Sequence, residues 1–364
     1  MPPRPPLPDW VDREGAVLVD AQRATRVLGA VTPENAAAER ARLVRQAEAG
    51  RPVVPAWTYA RNDRADTRRA LEASCARLER ERGVLARLHL ETARELLLEA
   101  RIAEAAGTAA IGPLAEARFG DPLGADGADA ALATSRARAW VAEEPSTEAR
   151  GVISSDARDP GSLVSRLRAR VAALGLPFEV VAHPGLASLA AVGERQIFVA
   201  EGRPLSARDV ERIVVHEIEG HARPRARAAN RGLAILIAGT AKGACDQEGY
   251  ALVLEERGGF LSSARRRELG ARHLVVGAMR GGATFADAVQ AVIGWGLPPR
   301  DAVLVAERAF RGGTGASPGL GRERVYIEAY LRVKARLDAH AADEEVLAAG
   351  QIAVREIEAV RGLL

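Results

Sequence analysis

The residues best placed to do chemistry lie in "ERIVVHEIEGHARP", residues 211 to 224. His216, Glu217 and His221 form H-E-x-x-x-H, one residue longer than the H-E-x-x-H pattern in which two imidazoles one helical turn apart take a metal. In an ideal α-helix five residues turn through ~500°, which leaves the two rings ~140° apart and unable to share an ion. One wide turn with an i to i+5 hydrogen bond would bring them back towards one face. Gly220 tolerates the dihedrals such a turn can require, and Pro224 predicts that the helix ends or kinks there. On spacing alone, a metal site and two merely packed histidines both remain open.

A third ligand favours the metal. Catalytic zinc takes three protein ligands and leaves a fourth position open, with two histidines and one glutamate an established set. "CDQEGYALVLEE", residues 245 to 256, supplies Glu248 in a helical pattern, with Gly249 beside it to permit close backbone approach. A carboxylate in so apolar a run is costly to bury without a cation, although it could instead sit exposed at a helix start. Glu255 and Glu256, at the far end of that helix, read as solvated. His89, His273 and His340 lie in charged helical contexts and read as surface residues, and His183 reads as a turn residue after a strand.

These elements must be positioned by the rest of the chain. Residues 1 to 15 read as a Pro-rich tail and 16 to 118 as a helical N-terminal region packed on the core. Leu71, Leu78, Leu85, Leu88 and Leu96 recur at helical spacing, with a break at Gly83. Residues 119 to 150 read as a loop or linker, and 151 to 364 as the catalytic region. Within the latter, "SLVSRLRARVAALG" is a helix ending at Gly175, and 177 to 183 and 195 to 202 read as strands. Ser206 with Asp209 caps the helix that carries His216. The expected fold is α+β, mostly α, with a small sheet.

Composition bounds the function. The 364 residues carry a net charge of +3, 48% hydrophobic residues and only 4% aromatics. No basic run with interleaved aromatics appears, which argues against nucleic acid as a partner. The expectation is no membrane span, because no apolar run approaches eighteen residues, and no signal peptide in "MPPRPPLPDW". Cys75 and Cys245 lack metal or redox spacing, which suggests reduced thiols and a cytoplasmic location.

"HEIEGH" followed by "DQEGYALVLEE" resembles the QEGLA-motif proteins, the family of the tubulin tyrosine carboxypeptidases. "RPVVPAWTYARND", "RAANRG", "RAFRGG" and "RERVYIEA" resemble further family elements, so the likeness spans residues 51 to 329. It implies a zincin-like metallopeptidase core and one zinc ion held by His216, His221 and Glu248, with Glu217 as general base. It implies a carboxypeptidase acting on the C-terminus of a peptide or protein, with tyrosine or another aromatic residue removed. Arg308, Arg311 and Arg322 are candidates to hold the terminal carboxylate, Asn230 a further substrate contact, and Tyr326 a candidate to stabilise the oxyanion. The chain departs from the family pattern at Gly220 (for Thr), Tyr250 (for Leu), Arg322-Glu323 (for Lys-Asp) and Ala329 (for Gly), so tubulin as substrate does not follow. Two other readings stand beside this one: a zinc endo- or aminopeptidase, and a regulatory or binding protein with a structural metal. An extended substrate could add to the edge of the strand at 195 to 202.

Overall fold

A computed structural model describes residues 7–120, 128–145, 151–186 and 188–364. It is mostly helical, with two small sheets. The first six residues of the expected tail lie outside the described residues, but the rest is not a tail: a helix runs Asp9–Thr25. Pro8 precedes it and Asp9 and Asp12 occupy its first turn, where proline's missing N–H costs no intrahelical bond and acids complement the helix dipole. The periodic leucines fall on helices Ala65–Leu78 and Val84–Glu104, separated at Gly83, whose φ of +95° suits glycine. The expected linker 119 to 150 also holds a helix, Ala128–Val141, while 121–127 and 146–150 lie outside the described residues. Its Gly- and Asp-rich start hid an alanine-rich segment whose Ala133, Ala137 and Trp140 enter the core.

Among the described residues five strands occur: β1 (Val152–Ile153), β2 (Glu179–His183), β3 (Ala190–Val192), β4 (Gln196–Ala200) and β5 (Pro204–Leu205). β4 is central, parallel to β2 and antiparallel to β3, while β1 and β5 form a separate antiparallel pair. The strand expected to offer an edge is therefore paired on both sides, with Ile197 and Val199 fully buried. Among the described residues β2 and β3 are the edges of that sheet, each with one side unpaired, and of the two it is β3 that shares a cavity with His216 and His221.

Ser206 caps the next helix, Ala207–Val214, accepting from the Asp209 N–H at 3.0 Å. Ile213, Val214, Ile218 and Ala222 pack with the sheet and helix Leu163–Ala173 in one apolar cluster. That packing anchors one side of the chain at 207 to 222 and turns the opposite side towards helix Gly243–Arg257. The latter packs in turn on helix Val325–Ala339 within the main core. Both contacts are close. A Cβ on Gly220 would lie 2.6 Å from Ala251 Cβ, and one on Gly249 would lie 2.4 Å from the Ala329 carbonyl. No described helix is long and apolar enough to cross a membrane.

Candidate metal centre

Between helices Ala207–Val214 and Arg223–Arg231 the chain forms a π-helix, Val215–Ala222, whose wide turn the five-residue histidine spacing requires. The Arg223 N–H donates to Ile218 O, five residues back. Gly220 serves a different purpose from the one expected of it. It does not adopt a left-handed conformation; it lets the π segment approach Ala251. Pro224 neither ends nor kinks the chain out of helix. It sits in the first turn of Arg223–Arg231, where a missing N–H is tolerated.

The wide turn puts His216 Nε2 and His221 Nε2 3.2 Å apart. Glu248 Oε2 lies 3.5 Å from the first and 3.8 Å from the second. Each outer ring nitrogen has its own partner: His216 Nδ1 is 2.7 Å from Glu255 Oε1, and His221 Nδ1 is 3.0 Å from Gln247 Oε1. A carboxylate only accepts, so His216 Nδ1 carries a hydrogen, and in the neutral ring Nε2 is the nitrogen left with a lone pair. Gln247 Oε1 also accepts from Gln351 Nε2, at 3.0 Å, so His221 is held the same way. Two ring nitrogens and a carboxylate oxygen thus face one point, an arrangement that a shared proton or a metal cation relieves. The edges of a tetrahedron around zinc with 2.0–2.1 Å bonds are about 3.3–3.4 Å long, so these three side chains fit that ion. Together His216, His221 and Glu248 are a group able to hold a metal.

The electrostatics point the same way. Burial alone would depress His216, but hydrogen bonds to Glu248 and Glu255 outweigh it and push its pKa up to about 9. Burial would raise Glu248, yet Arg322 and the two histidines hold it well below the usual range. The cluster demands positive charge. Arg322 Nη2 donates to Glu248 Oε1 at 2.8 Å, leaving Oε2 to the histidines. Glu255 is fully buried rather than solvated as expected, receiving Arg265 Nε at 3.2 Å and lying 3.6 Å from Arg212 Nη1. Glu256 is half-buried, bonded to Tyr330 and Lys334.

Glu217 is buried and lines a cavity of about 360 Å³ in front of the cluster. Among the described residues its carboxylate makes no hydrogen bond or ion pair. The unpaired edge of β3, Ala190–Val192, lines the same cavity, as do Tyr326, Arg308, Arg311 and Arg322. Arg308 and Arg311 are drawn to Glu323, at 3.0 and 3.5 Å, and Arg308 Nη2 is 3.5 Å from Tyr326 Oη. Burial, with Arg308 and Arg322 nearby, lowers the Arg311 pKa to about 10 despite Glu323. Asn230 is not brought to the site; it is exposed near the far end of its helix and does not line the cavity. His89 and His273 are buried instead of at the surface, while His340 and His183 are exposed. A larger, shallower cavity of about 750 Å³ beside Trp140 and Tyr330 contains none of the cluster's side chains.

These observations define a mostly helical α+β protein with a buried His₂Glu cluster beside a partnerless carboxylate. The model of the microtubule-associated tyrosine carboxypeptidase family matches residues 46–364, and the chain belongs to that family, whose description names peptidases. No curated protein matches the chain. A solved structure, the putative lipoprotein from Colwellia psychrerythraea, is similar with 13% identity and a TM-score of 0.44, over 76% of this chain. The chain spans 57% of the length of that protein.

Proposed function

We propose that the protein is a zinc-dependent carboxypeptidase with a zincin-like core that removes the terminal residue of a peptide or protein. The observation that carries this reading is the convergence of two imidazole Nε2 atoms and Glu248 Oε2 on one point beside Glu217. Family membership supports the exopeptidase direction, with tyrosine the terminal residue that the family's description names. When bound, a zinc ion supplies Lewis acidity to the scissile carbonyl and makes water more acidic. The protein's own residues do the rest. Glu217 has no protein partner to compete for it, so it takes the proton of the attacking water and passes it to the departing amine. Arg322 fixes Glu248, and Glu255 and Gln247 fix the two imidazole rings. β3 offers its unpaired edge to the extended backbone of the substrate, and Tyr326 Oη donates to the oxyanion. Both cysteines are free, which agrees with a reducing cytoplasmic setting.

The test is metal analysis of the purified protein, combined with a C-terminal peptide library read by mass spectrometry for wild type and Glu217→Gln. One equivalent of zinc in both proteins is expected, with trimming slowed in the variant by a factor of about 10²–10⁴. Full activity in the variant overturns the assignment of the base.

A further inference from the structure

A peptidase that works from the C-terminus must hold an α-carboxylate, and a guanidinium is the best side chain for that. Among the described residues eight arginines line the cavity, and seven are already committed. Glu323 takes Arg308, Arg311 and Arg272, and Glu248 takes Arg322. Glu255 takes Arg265 and Arg212, and both Oε atoms of Glu307 accept from Arg40, at 2.6 Å each. The eighth is Arg225. Among the described residues it makes no side-chain hydrogen bond and no ion pair. The carboxylate that offsets its burial is Glu194, which is itself bonded to Arg23 at 2.7 Å.

Position adds to the argument. Arg225 lies four residues after His221, one helical turn further along the helix that leaves the π segment. It therefore shares a cavity with the metal-facing nitrogens and with the unpaired strand β3. Burial lowers its pKa, as expected of a guanidinium withdrawn from water with little to offset its charge.

We infer that Arg225 receives the α-carboxylate of the substrate's terminal residue, and that Arg308, Arg311 and Arg322 hold the protein's own carboxylates instead. This rests on the carboxypeptidase reading above and names its carboxylate subsite. It makes Arg225 the residue that separates free-acid from amidated C-termini.

The experiment uses two peptides identical but for a free or amidated C-terminus, with wild type, Arg225→Lys and Arg225→Ala. In steady-state hydrolysis with zinc, wild type prefers the free acid. Arg225→Ala loses about a hundredfold in kcat/KM on the acid, chiefly in KM, so that its acid-over-amide preference disappears. Arg225→Lys falls between, because an ammonium lacks the fork geometry, and it carries the test if the alanine variant does not fold. Calorimetry on the chelator-treated protein measures the same acid-over-amide preference without catalysis. Retention of the wild-type ratio in Arg225→Ala, by either readout, overturns the inference. Absence of hydrolysis of either peptide by zinc-loaded wild type instead overturns the carboxypeptidase reading, and calorimetry still decides the role of Arg225.

Discussion

Glu255→Gln tests the metal centre without touching a ligand. Glu255 is fully buried and meets His216 Nδ1 at 2.7 Å, Arg265 Nε at 3.2 Å and Arg212 Nη1 at 3.6 Å. Glutamine keeps the shape and one acceptor. It removes the charge that makes the imidazole a stronger ligand, and with its oxygen kept on His216 it turns an NH₂ group towards the Arg265 guanidinium. Losing such an outer partner typically weakens metal binding about 10–100-fold. A middle value of ~30-fold is about 2 kcal/mol. At a zinc concentration saturating both proteins, the stabilisation by zinc falls by the same ~2 kcal/mol. With an unfolding entropy of ~2.1 cal/mol/K per residue over a chain of this length, that is about 3 °C in Tm. Melts of both proteins in zinc and in EDTA separate the effects. Weakened ion pairs lower the EDTA melt, whereas the zinc-minus-EDTA gap shrinks only if metal binding suffers. Competition with a chromophoric chelator gives the affinity directly. A folded variant with wild-type zinc affinity refutes the assignment of His216 Nε2 as a ligand oriented by Glu255.

Three other outcomes follow from the same geometry. Gly249→Ala drives a Cβ to 2.4 Å from the Ala329 carbonyl, which is backbone and cannot swing away. Thermal melts should show a loss of about 1–3 kcal/mol, and chelator competition weaker zinc binding as Glu248 shifts; a wild-type melt contradicts the close packing. Chelation of the native protein should abolish peptide trimming and lower Tm, with both restored by zinc, and activity that survives exhaustive chelation counts against a catalytic metal. Burial would raise the pKa of Glu323, but Arg308, Arg272 and Arg311 outweigh it and bring it down from 4.5 to about 2. The ionised group therefore stabilises the fold at all pH values above about 4.5, and this contribution fades as pH falls through 2. The gap is worth about 3 kcal/mol, so urea midpoints of wild type should fall more steeply between pH 4.5 and 2 than those of Glu323→Gln. Parallel curves would show that Glu323 is not the group titrating there.

The candidate ligands that the structure brings together were legible in the sequence because their signal is local: two histidines around a glutamate, then an acid in an apolar helix. The second layer was not. Glu255 carries nothing in its neighbourhood that separates it from Glu256, and only the packing of helix Gly243–Arg257 against the π segment buries one and leaves the other half-open. Gln351 is 104 residues from Gln247, and no local pattern announces that contact. Helix Ala128–Val141 was masked by a Gly- and Asp-rich lead-in, since turn residues at one end of a segment colour the reading of the whole. Gly220 was singled out correctly but for the wrong cause. Sequence shows that a position lacks a Cβ; only the facing Ala251 shows why.

The arginine excess has a physical origin in the same network. All but two of the 51 basic residues are arginine, and the sequence pI of 9.2 could be taken for a surface tuned to polyanions. Several of these side chains instead point inward and bridge. Arg265 joins Glu255 to Glu268, Arg272 joins Glu268 to Glu323, and Arg308 continues from Glu323 to Tyr326. One guanidinium can donate to two carboxylates at once and is less strongly hydrated than an ammonium, so it suits a buried bridge where lysine would lose more hydration and gain fewer bonds. The result is a continuous chain of alternating charge from the partner of His216 to the wall of the cleft. Such a chain resists rearrangement, because removing any link leaves an uncompensated charge on each side. It is this rigidity that can hold a distorted π turn and a distant helix in the register that three converging ligand atoms need.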